Sequence, residues 1–125
     1  MKYQSAEDRL NPVPPEGVDD TTLGGYPAVH GRAPGFEGSD GQPYTAGIET
    51  ERSDTRPGEW NGYLVFVRWA QSGTTIMGHL ETGDLCAGAT EAEARAALEA
   101  LPLVSVKEIL DQEIARRAAE QEMDG

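Results

Sequence analysis

The sequence predicts an α+β domain: an antiparallel meander of three to four strands with two C-terminal helices on one face, preceded by a Gly/Pro-rich extended N-terminal arm. Three observations carry this expectation. Residues 62–70 (Gly-Tyr-Leu-Val-Phe-Val-Arg-Trp-Ala) form a nearly continuous apolar run of β-branched and aromatic residues, as a central strand covered on both faces does. From residue 90 onward the apolar residues switch to helical spacing, with two helix-start signals. Seven of the 15 glycines and five of the 8 prolines fall in residues 1–42. At 125 residues the chain holds one such domain and not two independent ones.

The arm spans residues 1–42. Proline removes amide donors and glycine loses the most entropy on ordering, so neither a helix nor a central strand is expected there. Its apolar residues, Leu10, Val13, Val18, Leu23, Tyr26, Val29 and Phe36, follow no period of 2 or 3.6. They are nevertheless more numerous than in a disordered linker. The expectation is an arm that is loose near Met1 and lies against the domain from about Gly25 onward.

The domain proper spans 43–125. Strands are expected at about 43–51, 62–70, 74–82 and 85–89. Tyr44, Ala46 and Ile48 alternate with Thr45, Gly47 and Glu49, which is strand patterning. A two-residue Ser72-Gly73 loop would close a hairpin, glycine supplying the positive φ that twisted hairpins need. That register sets Val65, Val67 and Trp69 on one face with Ile76, Gly78 and Leu80. It leaves Leu64, Phe66 and Arg68 on the other with Met77, His79 and Glu81. The expected core is Ile48, Leu64, Val65, Val67, Trp69, Ile76, Leu80, Leu98, Leu101, Val106, Ile109, Leu110 and Ile114. The face carrying Phe66 and Met77 is too apolar to leave bare, so the arm or a second subunit should cover it.

Helices are expected at about 91–101 and 106–121. Thr90 with Glu93, and Ser105 with Glu108, match the capping-box spacing, and Val104 with Ile109 that of a hydrophobic staple. Pro102 separates the helices. Glu113 and Arg117 are placed for an i,i+4 pair, and the polar end from Ala118 should fray. Strands followed by the acidic Thr90-Glu91-Ala92-Glu93-Ala94 helix start are similar to the HicB-like antitoxin pattern, over at most half the chain. That similarity carries no functional residue across.

Ten basic residues face 22 acidic ones, giving a net charge of -12. The acidity is spread: residues 1–42, 43–89 and 90–125 carry net charges of -4, -3 and -5. No segment offers the basic face that nucleic acid or an anionic membrane surface requires. The ordinary role of such charge is solubility; the sharper one is a basic partner or mimicry of a phosphate array. No regular run of carboxylates supports the mimicry. No apolar run approaches the length of a membrane span, and residues 1–20 hold none of the kind a secretory signal needs. The expected compartment is the cytoplasm, and eight Arg against two Lys, with abundant Ala and Gly, point to a GC-rich bacterial genome.

Residue types that do chemistry are few. His30 and His79 are the only histidines, and Cys86 is the only cysteine. His79 with Glu81 and Arg68 is the candidate catalytic or ligand-binding set, because an imidazole beside a carboxylate can be poised as a base. The ordinary reading of His79 is a half-buried polar residue closing one edge of a layer. Cys86, among small neighbours, reads as inert core, since nothing near it in sequence supplies the cation that lowers a thiol pKa. The Gly35-to-Gly41 stretch lacks the Lys-Ser/Thr of a phosphate loop and the spaced ligands of a calcium loop, so it reads as turns. No cofactor motif or metal-ligand spacing occurs. The sequence therefore favours a non-catalytic protein-interaction module, acting through its sheet face, an edge strand or self-association. The alternative is a small enzyme or ligand binder using His79.

The isolated protein is expected to leave duplex and single-stranded DNA unretarded in a gel-shift assay at physiological salt. Tight, salt-sensitive binding would overturn the electrostatic argument.

Overall fold

A computed structural model of the chain describes residues 19–124. In order it contains α1 (Gly25–His30), β1 (Gly35–Glu37), β2 (Pro43–Arg52), β3 (Trp60–Trp69), β4 (Ile76–Glu81), β5 (Cys86–Gly88), α2 (Glu91–Glu99) and α3 (Leu103–Asp124). The strands form one antiparallel sheet in the order β1-β2-β3-β4, with β5 paired to the start of β3. This is an α+β fold, a meander followed by C-terminal helices. The beginning of the arm, where looseness is expected, lies outside the described residues.

β3 is the centre of the sheet, and its two faces differ in the opposite sense from the expectation. Gly62, Leu64 and Phe66 are buried, whereas Tyr63, Val65, Val67 and Trp69 are only half-buried. Leu64 and Phe66 pack with Tyr44 and Ala46 of β2, Leu98 of α2, and Val106 and Leu110 of α3. The helices therefore cover the Leu64/Phe66 face, and Val65, Val67 and Trp69 lie on the other. Ile76, also expected in the core, is 61% exposed. The strand is apolar on both faces, so hydrophobicity alone does not choose between them. Full burial of each large aliphatic or aromatic side chain contributes roughly 1.5–3 kcal/mol, so this choice sets most of the core energy.

The β3–β4 hairpin starts in the expected register and then shifts, but its loop is wider than the expected two-residue Ser72-Gly73 turn, because Gly73 N–H bonds back to Ala70 O. Ala70 N–H donates to Thr75 O at 2.8 Å, Gly73 takes φ 78°, and Trp69 opposes Ile76. A bulge follows: Arg68 opposes Gly78, so Met77 is an extra residue on β4. Beyond it Phe66 opposes Leu80 and Val67 opposes His79, where an unbulged ladder would have set His79 against Phe66. The extra residue gives Phe66 an apolar neighbour and turns the imidazole away from the core. Past β4 the buried Thr82 carries the ladder onward. Its amide donates to Leu64 O (3.0 Å), and its hydroxyl accepts from Leu64 N–H (3.0 Å) and donates to Gly83 O (2.7 Å).

The arm is not simply extended. It contains α1 and β1, despite Pro27 within α1. Pro27 is the third residue of that helix, inside the first turn, where an amide has no intrahelical acceptor to lose. The arm is bonded to the α2–α3 junction: Leu23 N–H donates to Leu101 O and Gly24 N–H to Glu99 O, both at 2.9 Å, and Leu103 N–H donates to Thr21 O at 2.8 Å. Leu23 and Val29 are 2% and 1% exposed, so docking begins earlier than Gly25.

Thr90 caps α2, its hydroxyl accepting from Glu93 N–H at 3.1 Å, while the Glu93 carboxylate accepts from Ala89 N–H at 2.8 Å. The second start signal is not used. α3 begins at Leu103, where Pro102 O accepts from Ser105 and Val106 N–H, so Ser105 lies inside the helix. Val104 is 72% exposed and forms no staple. The helix also continues through Asp124, beyond the expected fraying point. Arg116, with carboxylates at i−3 and i+4, pairs with Glu113 and Glu120 at 2.6 Å each and so takes the carboxylate expected to pair with Arg117.

Limited proteolysis is expected to spare the stretch from Leu23 to Gln42 in the native protein. Leu23→Ala should lower stability by about 2–4 kcal/mol, as truncation of a fully buried leucine does. Rapid cleavage throughout that stretch in the wild type would contradict the docking of the arm.

Candidate functional site

Of the three candidate residues, Arg68 and His79 line one cleft between the sheet and α3, and Glu81 does not. Arg68 follows Phe66 on the helix-covered face, and its Nη2 donates to Met77 O at 3.2 Å. His79 and Glu81 oppose Val67 and Val65 on the other face, and both are exposed. The single-residue shift at Met77 puts His79 and Glu81 in phase with Val67 and Val65 instead of with Arg68. Exposure of His79 also removes the packing role that a half-buried position would have given it.

His30 is engaged structurally. Its Nε2 lies 3.1 Å from Asp20 Oδ2, and its ring stacks on Tyr26 with centroids 4.2 Å apart. Cys86 sits beneath α2 and donates its thiol to Ala94 O at 3.1 Å, as the inert reading requires. Of the Gly35-to-Gly41 stretch, expected as turns, Gly35–Glu37 is strand β1 because it pairs with β2, and only the part from Gly38 to Gly41 turns. Asp40 Oδ1 accepts from Gln42 N–H at 3.0 Å and Oδ2 from the Tyr44 hydroxyl at 2.8 Å. Ser39 N–H donates to Asp111 Oδ1 at 2.9 Å, anchoring the turn to α3. Lys107 bonds the other Asp111 oxygen at 2.5 Å and, with Ser39, holds that carboxyl below its ordinary value. Among the described residues no group of three or more His, Cys, Asp or Glu is arranged to hold a metal ion.

The face of the sheet opposite the core has a distinct pattern. Tyr63, Val65, Val67 and Trp69 form an apolar column along β3, with the Trp69 indole N–H donating to Thr45 Oγ1 at 2.9 Å. Beside it lie the exposed Gly47, Glu49 and Glu51 of β2 and His79 and Glu81 of β4. At the Tyr63 end the carboxylates crowd. Desolvation and then Asp84, Asp54 and Glu81 push the Glu51 carboxyl above its ordinary value. Desolvation, followed by Glu81, Glu51, Glu49 and Asp84, does the same to the Tyr63 phenol. At the Trp69 end the column runs into an open groove of about 670 Å³ whose walls include Tyr26, Phe36, Pro43 and Arg32.

Comparison with protein-family models, curated proteins and solved structures gave no match. Function is therefore argued from this geometry alone. Sequence reading missed the outer face as a unit, because it assigned Val65, Val67 and Trp69 to the core. Gly62 could have signalled the true orientation. A residue without a side chain, in phase with Leu64 and Phe66, marks the face on which another element comes close.

Burial, with the Asp40 hydrogen bond second, pushes the Tyr44 phenol up to about 12. Because the folded state holds the neutral phenol, its stabilising contribution is complete below the ordinary tyrosine range and is lost as pH rises through about 12. An ultraviolet titration should show a late tyrosine ionisation that is missing in Tyr44→Phe.

Proposed function

We propose that this protein is a non-catalytic interaction module whose binding surface is the outer sheet face. The observation that carries the reading is the apolar column Tyr63–Val65–Val67–Trp69 lying beside exposed carboxylates. Half-buried aromatic and aliphatic side chains in a row give a partner apolar area to exclude from water. A polar margin sets its orientation.

Charge favours one kind of partner. A second copy would bring Glu49, Glu51, Glu81 and Asp84 against their counterparts on a chain that already carries a net charge of -12. Like charges set face to face cost several kcal/mol. A polypeptide that combines apolar side chains with lysine or arginine meets both features: its cations answer the carboxylates around Tyr63, and its apolar residues cover Val65, Val67 and Trp69. The groove beyond Trp69 extends the same surface for an aromatic or aliphatic anchor. Strand addition at an edge is less well supported. β4 is six residues long and broken by the Met77 bulge; at the other edge β1 covers only the start of β2, and the rest of β2 carries the charged Glu49, Glu51 and Arg52. Short, bulged edges resist pairing with another chain.

The test compares affinity capture from the native host by wild type, Val67→Lys, and a Glu49→Lys/Glu81→Lys double variant. Each should fold, because the substituted side chains lie on the face away from the core. A retained basic protein should then be purified and titrated against all three. Val67→Lys should weaken it by roughly 2 kcal/mol, the scale of a central interface residue. The double variant should weaken it and flatten its salt dependence. Equal affinity for all three would refute the assignment.

A further inference from the structure

On the helix-covered side, the sheet and the second half of α3 leave a cleft of about 420 Å³ where they diverge. Arg68 of β3 and Arg117 of α3 both line it. Among the described residues, neither forms an ion pair, although the chain carries 22 acidic side chains. For Arg117 the reason is local: Arg116 occupies Glu113, the carboxylate one turn away, through Nε at 3.0 Å and Nη2 at 2.6 Å. For Arg68 the protein supplies one acceptor, Met77 O. A guanidinium offers five donors, and a half-buried one without a counter-charge is costly to hold.

The remaining lining fits a ligand with an anionic head. Gln121 adds an amide donor, and Leu80, Ile114 and Ala118 give an apolar wall. Asp40 is also present, but its two oxygens accept from the Tyr44 hydroxyl and from Gln42 N–H. With His79 also on its wall, the cleft thus sets two guanidinium groups that lack a counter-charge among the described residues against one carboxylate already engaged by two donors. Planar guanidinium forks match carboxylate and phosphate oxygens in pairs.

We propose that this cleft binds a small oxyanion, a carboxylate or a phosphate group, between Arg68 and Arg117. Apart from His79, which borders both, the cleft shares no residue with the sheet column or its carboxylates, so it stands whether or not the outer face binds a protein.

The test uses the full chain, ¹⁵N-labelled, titrated with sodium phosphate and separately with sodium propionate, ionic strength being held constant with sodium chloride. The expected result is saturable shifts of the Arg68 and Arg117 Nε–Hε signals and the Gly78 amide with at least one of the two ions. The ion that saturates at lower concentration tells phosphate from carboxylate chemistry. Arg117→Gln should weaken binding at least roughly tenfold, the loss expected on removing a charge-assisted contact. Arg117 is an exposed helix position, so this variant keeps the test intact should Arg68→Gln disturb folding. Shifts that never saturate with either ion, or saturable binding that Arg117→Gln leaves unchanged, would overturn the proposal. Val67→Lys should bind the ion like the wild type.

Discussion

A Cβ built on Gly62 would stand 2.8 Å from the Cys86 sulfur, 3.0 Å from Leu98 Cδ1 and 3.2 Å from the carbonyl oxygen of Ala94. Only a bare backbone lets α2 settle this close to the central strand. That approach carries Leu98 onto the sheet and closes the core over Leu64 and Phe66, which are completely buried. The two residues sit in phase with Gly62, so one close contact decides which face of β3 is interior. Val65, Val67 and Trp69 are outside because the helix is on the other side, and not for lack of hydrophobicity. The arm depends on the same arrangement, since its hydrogen bonds run to the junction between α2 and α3.

The edge of the sheet is managed by two local devices. The extra residue Met77 re-phases β4 so that Leu80, rather than His79, stands opposite Phe66. Thr82 then replaces a regular ladder step with a side-chain acceptor for Leu64 N–H, so the strand can leave the sheet without stranding a buried amide. Together they keep the interior apolar while making the edge short and irregular. A short, irregular edge offers little unpaired backbone for another chain to add to.

Charge on this protein is organised by location more than by amount. Arg56, Lys107 and Arg116 are committed to neighbouring carboxylates, and the Arg52 guanidinium lies 5.3 Å from the centre of the Trp60 ring. Exposed pairs of this kind contribute only modestly to stability. Among the described residues Arg32, Arg52, Arg68, Arg95 and Arg117 form no ion pair, and Arg68 and Arg117 differ in lining one cleft whose carboxylate, Asp40, is already engaged. The carboxylates gathered at the Tyr63 end flank the outer face and the cleft opens on the helix-covered side, with His79 of β4 bordering both.

Most elements of the domain from residue 43 onward are legible in the chain alone. The alternation at Tyr44–Ile48, the apolar run through Val65 and the Thr90/Glu93 cap are each set by a few neighbouring residues, and short-range chemistry suffices to read them. The short helix of the arm escaped, because Pro27 was read as a breaker when its place in the first turn makes it harmless. The start of α3 also escaped: two signals competed within four residues, and the one set by Pro102 prevailed. Which face of β3 is buried was decided only in three dimensions. Both faces are apolar, the Met77 bulge changes phase with no residue type that announces it, and the deciding contact is between Gly62 and a helix more than thirty residues away. The relation of His79, Glu81 and Arg68 followed from that same phase. That Arg68 and Arg117 line one cleft depends on how α3 lies across the sheet, a matter of packing that no local pattern encodes.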